Sequence, residues 1–193
     1  MKNNLYSTTL IGLLLLLITF ASLISCSTKK IAYIPLPCET LDTEEEFSSV
    51  GTAQGDFRKK GIVQFEALVN ANNNLSIQIK QSYKDFIKLN KDSVWTILPV
   101  NLERRLIVIA DSIIESRVEM AYQNCLRYGG VDKNGEIAAY TNIKISKAYI
   151  ANVIATGYYN ELSDEEKEII QFNKDGYEYR LNNFFKSYAP SQR

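Results

Sequence analysis

Hydrophobic and polar positions divide the chain into an apolar leader with a charge-free run from Leu10 to Ala21, a polar spacer, and a part in which helical and strand periods alternate. The pattern of Phe47–Ala53 predicts a short strand that stops near Gly55. From about Asp56 to Asn90, apolar residues recur at the spacings of an amphipathic helix, and Asp56 is placed to cap it. The predicted apolar stripe of this helix consists of Phe65, Leu68, Asn72, Leu75, Ile79 and Phe86.

The period changes after a second predicted helix, which runs from residue 102 to about 112. Alternating apolar positions at Val118, Met120 and Tyr122, and again over residues 137–145, predict two strands with one buried face each. Gly129-Gly130 and Asn134-Gly135 lie between them and tolerate positive φ. The two strands are therefore predicted to form a hairpin.

The C-terminal part returns to a helical period from Lys147 through Ile154. Ser163-Asp164-Glu165-Glu166 has the composition of a capping box, with Leu162 as the preceding staple residue. Asp175-Gly176 is predicted to divide the last segment into two short helices. Most of its aromatic residues are expected to cover the sheet, and any left outside would form a docking surface: Tyr158, Tyr159, Tyr177, Tyr179, Phe184, Phe185 and Tyr188.

These elements predict an α/β fold of the α+β type, in which a long helix packs on a short, mostly antiparallel sheet and further helices follow. We divide the chain into a signal peptide (1–25), a lipidated cysteine with an extended spacer (26–46), an α/β domain (47–150) and a C-terminal helical extension (151–193). Asn70 to Asn74 oppose a helix by propensity, so packing on the sheet is expected to hold them there.

The leader has the order of a secretory signal, with Lys2 before an uncharged apolar run and small residues before Cys26. A cysteine at that point is typical of bacterial lipoproteins, in which its thiol is acylated. A transmembrane anchor is the alternative, but it needs about 20 apolar residues, more than Leu10 to Ile24 supplies. The pattern predicts lipidation of Cys26, which tethers a domain to a membrane.

Composition excludes several classes of site. Lysine and arginine total 22 and so do aspartate and glutamate; without Lys2 the mature chain carries 21 − 22 = −1, which argues against nucleic acid as a partner. The chain contains no histidine, which excludes Ser-His-Asp and Cys-His catalysis and His-bearing zinc sites. We therefore predict no cofactor and no metal.

Two cysteines remain after Cys26. Cys38 and Cys125 would lie outside the cytoplasm, where disulfides persist. A bridge between them would tie the spacer to the domain, and two unpaired thiols are the alternative. The sequence leaves both open because it does not supply geometry.

Two further patterns are weak candidates for chemistry. Gly51, Gly55 and Gly61 lack the spacing of a phosphate-binding loop, and close packing of helix on strand explains them better. The carboxylate pairs Glu115 with Glu119 and Asp164 with Glu168 are expected to be solvated surface charge. The prediction is that the protein is not an enzyme.

Three stretches resemble the LPP-twenty family of membrane-associated bacterial lipoproteins: Phe47 to Gly55, Ala67 to Ile79, and Asn142 to Lys147. Asn72 departs from the family, which usually has arginine there. The resemblance implies a small α/β domain without established enzymatic activity or catalytic residues to transfer. It also implies an outer-membrane protein. Ser27-Thr28-Lys29-Lys30 lack the acidic residues of exported lipoproteins, which favours the periplasmic face.

These observations predict a non-enzymatic envelope lipoprotein that presents its domain to an unidentified protein partner or supports the outer membrane. The alternative is a periplasmic binding module for a small apolar ligand or a cell-wall fragment, with the C-terminal aromatic residues lining its groove.

Overall fold

The computed structural model describes residues 37–38, 42–93 and 98–188. Cys26 and the leader lie outside them. The described chain has the predicted α+β architecture, an antiparallel sheet with a long helix packed against it and further helices after the sheet. The strands are β1 (Glu46–Asp56), β2 (Tyr122–Tyr128) and β3 (Glu136–Ser146), in the order β1-β3-β2. The helices are α1 (Lys60–Ser93), α2 (Val100–Val118), α3 (Lys147–Glu161), α4 (Asp164–Ile169) and α5 (Lys174–Ser187).

Strand β3 lies at the centre of the sheet and pairs with β1 along its whole length, from Glu46 opposite Ser146 to Asp56 opposite Glu136. Strand β2 pairs with its other side, with an irregularity in the register between Gln123 and Cys125. Hairpin β2–β3 is therefore confirmed, and it encloses Gly135 at a φ of 80°.

Helix α1 approaches β1 closely because small residues meet at the crossing. A Cβ on Gly51 would lie 2.0 Å from the carbonyl oxygen of Ala67 and 2.3 Å from the amide nitrogen of Ala71. Both alanines are fully buried. Gly51 thus permits the helix and strand backbones to touch, which is the packing role predicted for it.

The asparagines of α1 bond the edge of β1. The side-chain amide of Asn70 donates to the carbonyl of Thr52 at 2.8 Å, and that of Asn74 donates to the carbonyl of Val50 at 3.1 Å. Asn70 and Asn74 are four residues apart, a rise of about 6 Å along a helix, and Val50 and Thr52 are two residues apart, about 6.6 Å along a strand. The spacing of the two amides therefore matches the spacing of the two carbonyl groups. This bonding explains why residues with poor helix propensity occupy the middle of a long helix.

The predicted stripe of α1 was wrong at Phe65, whose exposed fraction is 64%. The contact with β1 uses small residues, so the buried face follows Ala67 and Ala71 rather than the largest apolar residues. Leu68 and Asn72 are only partly buried. The buried row recurs mostly at intervals of four: Val63, Ala67, Ala71, Leu75, Ile79, Tyr83 and Ile87, with Phe86 beside it.

The strand predicted to begin at Val118 was also wrong. Helix α2 continues to Val118, which is buried on the same face as Leu106, Ala110 and Ile114. Met120 lies in the following turn with an exposed fraction of 63%, and β2 begins at Tyr122. Apolar residues that alternate across the end of a helix mimic a strand over so short a stretch.

The C-terminal helices are divided at a different place from the one predicted. The capping box is present: the Ser163 hydroxyl accepts from the Glu166 amide at 3.2 Å, and the Glu166 carboxylate accepts from the Ser163 amide at 2.9 Å. The break falls at Gln171, which has a φ of 50°. Asp175-Gly176 instead form part of the first turn of α5, which Asn173 caps through the Gly176 amide.

The core lies between α1 and the three helices α2, α3 and α5, and aromatic rings fill much of it. Tyr158, Tyr177 and Phe185 are fully buried, whereas Tyr159 and Tyr179 are exposed. Phe185 packs edge-on against Phe47, with ring centroids 5.1 Å apart. Three of the seven C-terminal aromatic residues therefore belong to the core, and the partly buried Phe184 packs against it.

Candidate functional site

The spacer is joined to the sheet by a disulfide. Cys38 is bonded to Cys125 of β2, with Cα atoms 5.6 Å apart and 87 positions between them in sequence. Of the two alternatives that the sequence leaves open, the structure has the bridge. The chain that leads to Cys26 is thus attached to the outer strand β2 rather than to β1, its neighbour in sequence.

A second attachment lies four residues further on. One carboxylate oxygen of Asp42 accepts from the backbone amide of Ser48 and the other from the side-chain amide of Gln78, both at 2.6 Å. Asp42 thereby bonds the free edge of β1 and ties it to α1. Since β1 and β2 are the two outer strands, Cys38 and Asp42 are fixed at opposite edges of the sheet.

The buried side chain of Lys147 contacts both β1 and the residues just before it. Its ammonium group donates to the carbonyl oxygen of Thr43 at 2.9 Å and lies 5.1 Å from the centre of the Phe47 ring. The residue is 1% exposed, and this burial lowers the pKa of its amino group. The nearby carboxylates of Asp42, Glu45 and Glu44 act in the opposite direction.

Glu46 is held by two partners at the same end of the sheet. The Tyr122 hydroxyl donates to it at 2.6 Å and the Lys144 ammonium lies 3.2 Å away. The hydrogen bond from Tyr122, followed by the contact with Lys144, keeps the pKa of this carboxyl below its usual value. Glu46 and Lys147 lie where the start of β1 meets the end of β3. Their charged groups bond Tyr122, Lys144 and the Thr43 carbonyl, so they serve to connect these strand ends.

The two carboxylate pairs lie on the surface, as predicted. Glu115 forms an ion pair with Lys80, and Glu119 is exposed. Asp164 lies 3.6 Å from Lys167, and Glu168 is exposed. All four carboxylates are exposed, so neither pair has the desolvated setting that acid–base catalysis requires.

Four apolar side chains near the start of α1 form an exposed surface, which we call the α1 patch: Phe57, Ile62, Phe65 and Val69. The last three follow one another at intervals of three and four, so they share one face of the helix. This face is opposite Ala67, which packs on the sheet. Sequence reasoning assigned Phe65 to the core; the signal that α1 has a second apolar stripe was the spacing of Ile62, Phe65 and Val69.

An open groove of about 400 Å³ lies between one face of α1 and one face of α5. Its apolar walls are Phe86, Leu89 and Phe184. Arg180 is the one charged residue among those that line it. Phe184 belongs to the aromatic C-terminal stretch that was predicted to line a groove.

Within the described ranges, no helix combines the length and apolar character needed to cross a bilayer. In the same part of the chain, no three His, Cys, Asp or Glu residues are grouped so that they could hold a metal ion.

The three stretches that resemble the LPP-twenty family form β1, the middle of α1 and the end of β3. The first two meet where Gly51 contacts Ala67 and Ala71, and Asn142 of the third pairs with Val50 beside Gly51. No family model, curated protein or solved structure matches the chain. Membership of that family therefore stays a prediction.

Proposed function

We propose that the chain is a non-enzymatic lipoprotein of the cell envelope, anchored through Cys26 to the periplasmic face of the outer membrane, and that its α+β domain docks another envelope protein. The observation that carries the proposal is the Cys38–Cys125 bridge. Structural disulfides persist in compartments outside the cytoplasm, which is where a secretory leader sends a chain. The bridge and the leader are independent features that indicate the same side of the membrane.

The absence of histidine from the whole sequence supports a non-enzymatic role. Four buried polar groups support it too, because the ammonium of Lys147 and the hydroxyls of Tyr83, Tyr158 and Tyr177 bond other groups of the protein. A catalytic group in a core of this kind would need access to a substrate.

The α1 patch supports docking of a protein partner. Large apolar side chains grouped on a rigid helix are typical of interfaces. Arg58, Lys59 and Lys60 border it on one side, and Glu66 lies among its residues. A mixed border of this kind suits a polar rim around an apolar centre.

The anchor is tested by metabolic labelling with a fatty acid in the natural host. Cys26→Ala should abolish incorporation of the label and release the mature domain, whereas Ser27→Ala, which keeps the cysteine, should be labelled normally. Purified protein that retains its leader and carries no acyl group would overturn the proposal.

The docking surface is tested by placing a photoreactive amino acid at Phe65 and irradiating intact cells. We expect a crosslink to one envelope protein. Ile77 is the matched control, because it is equally exposed, at 66% against 64%, but lies about two turns beyond Val69 along α1. Equal crosslinking from both positions would argue against the α1 patch as the interface.

A small-ligand binding module is the second candidate, and the α1–α5 groove favours it. The groove combines apolar walls with a few polar groups, as ligand pockets commonly do.

A further inference from the structure

The α1–α5 groove presents two complementary helix faces. Phe86 and Leu89 are three residues apart on α1, while Arg180 and Phe184 are four apart on α5, so each pair projects from one side of its helix. Asn183 adds an amide beside Arg180. The volume of about 400 Å³ falls in the range of small-molecule sites.

Arg180 is the feature of this groove that packing does not explain. Its Nε is buried and has no hydrogen-bond partner. The ion pairs of the described residues do not include it, and no carboxylate lines the groove. Arg180 lines the groove, so an anion placed there would meet a positive charge that none of those ion pairs neutralises.

We propose that the α1–α5 groove binds a small monocarboxylate with an apolar body, such as a medium-chain fatty acid. The carboxylate accepts hydrogen bonds from Arg180, whose planar group matches its two oxygens, and the chain lies against Phe86, Leu89 and Phe184. A free amino acid fits less well, because its ammonium group would find no anion among the lining residues.

This binding site does not depend on the lipid anchor or on the α1 patch. Loss of labelling in the anchor experiment leaves it untouched, and a failure to bind carboxylates leaves the anchor untouched.

The test is calorimetric titration of the mature, disulfide-bonded protein with octanoate, and with octanol and octylamine as neutral and cationic probes of the same length. Octanoate should bind at least about tenfold more tightly than octanol, since a charge-assisted hydrogen bond contributes roughly that factor. Octylamine should bind more weakly than either. Equal affinities for octanoate and octanol, or no binding of octanoate at millimolar concentration, would overturn the proposal.

Variants distinguish the contribution of the Arg180 charge to binding from the contribution of the apolar walls. Arg180→Gln should reduce octanoate affinity to that of octanol, and Arg180→Lys should restore part of it. Leu89→Asn should weaken both probes, because Leu89 supplies apolar wall. Arg117→Gln is the matched control, since Arg117 lines a separate groove between α2 and α3. Octanoate binding that survives Arg180→Gln, or falls equally in Arg117→Gln, would contradict the assignment.

Discussion

Three buried tyrosine hydroxyls form a chain with one direction. Tyr158 donates to the carbonyl of Leu106 at 2.6 Å, so it accepts from Tyr83. Tyr83 has then used its hydrogen and accepts from Tyr177 at 2.9 Å. Burial raises the pKa of all three hydroxyls, which keeps them protonated and able to donate.

The direction of this chain predicts unequal effects of two similar substitutions. Tyr83→Phe removes two buried hydrogen bonds, the one accepted from Tyr177 and the one donated to Tyr158, which should cost about 1–3 kcal/mol. Tyr177→Phe removes only the hydrogen bond that Tyr177 donates to Tyr83, so its cost should be about 1 kcal/mol. Urea denaturation of both variants measures the difference. A larger loss for Tyr177→Phe would show that the chain runs the other way.

Lys147 predicts a pH dependence at alkaline pH. Burial lowers its pKa below the value of 10.5 that it has when exposed, so between these two values the unfolded chain binds more protons. Stability from this residue therefore rises with pH through that window and is constant above it. Thermal melts of the native chain and of Lys147→Met should show the native chain gaining relative to the variant as the pH approaches 10.5. A constant difference would contradict this.

At the scale of the elements, the crossing of α1 and β1 depends on Gly51. Gly51→Ala places a methyl group against the backbone of Ala67 and Ala71, so helix and strand must separate. We expect a loss of about 3 kcal/mol or more in the free energy of unfolding. Gly61→Ala is the control: nothing lies within 4 Å of its added Cβ, and alanine should stabilise α1 by about 0.5–1 kcal/mol. Similar melting temperatures for the two variants would disprove the close contact.

The sequence predicted correctly those elements whose characteristic pattern lies within a few neighbouring residues. Strand β3 alternates between buried and less buried residues except at Asn142, and the capping box at Ser163 carries both of its partners. The sequence also showed that Asn70 to Asn74 need tertiary support, although not that they bond the carbonyls of β1. The Cys38–Cys125 bridge stayed open because it depends on distance between segments far apart in sequence.

The sequence predictions were wrong where the burial of a residue depends on which face of its helix another element covers, or on where that helix ends. Phe65 looks like a core residue until Gly51 directs the small face of α1 to the sheet. Met120 looks like a strand residue until α2 is seen to extend to Val118. The site features were harder still, since the α1–α5 groove joins residues about ninety positions apart.

Across the whole molecule, the bridge restricts the unfolded chain. It closes a loop of 87 positions, and the double variant Cys38→Ser/Cys125→Ser should lose about 2–5 kcal/mol of stability. Guanidinium denaturation measures this. The native chain in a reducing buffer should match the double variant, which separates loss of the bond from effects of the serines. Unchanged stability in both would mean that the bond constrains nothing.

The same bond also sets how far the domain can move from the bilayer when Cys26 carries the anchor. Cys38 lies twelve positions after Cys26, a maximum span of about 40 Å. After reduction the first fixed residue is Asp42, and the span grows to about 55 Å. The domain of the oxidised protein would therefore stay closer to the lipid surface than that of the reduced protein. A partner in the cell wall beyond the reach of the oxidised form would be contacted only by the reduced form.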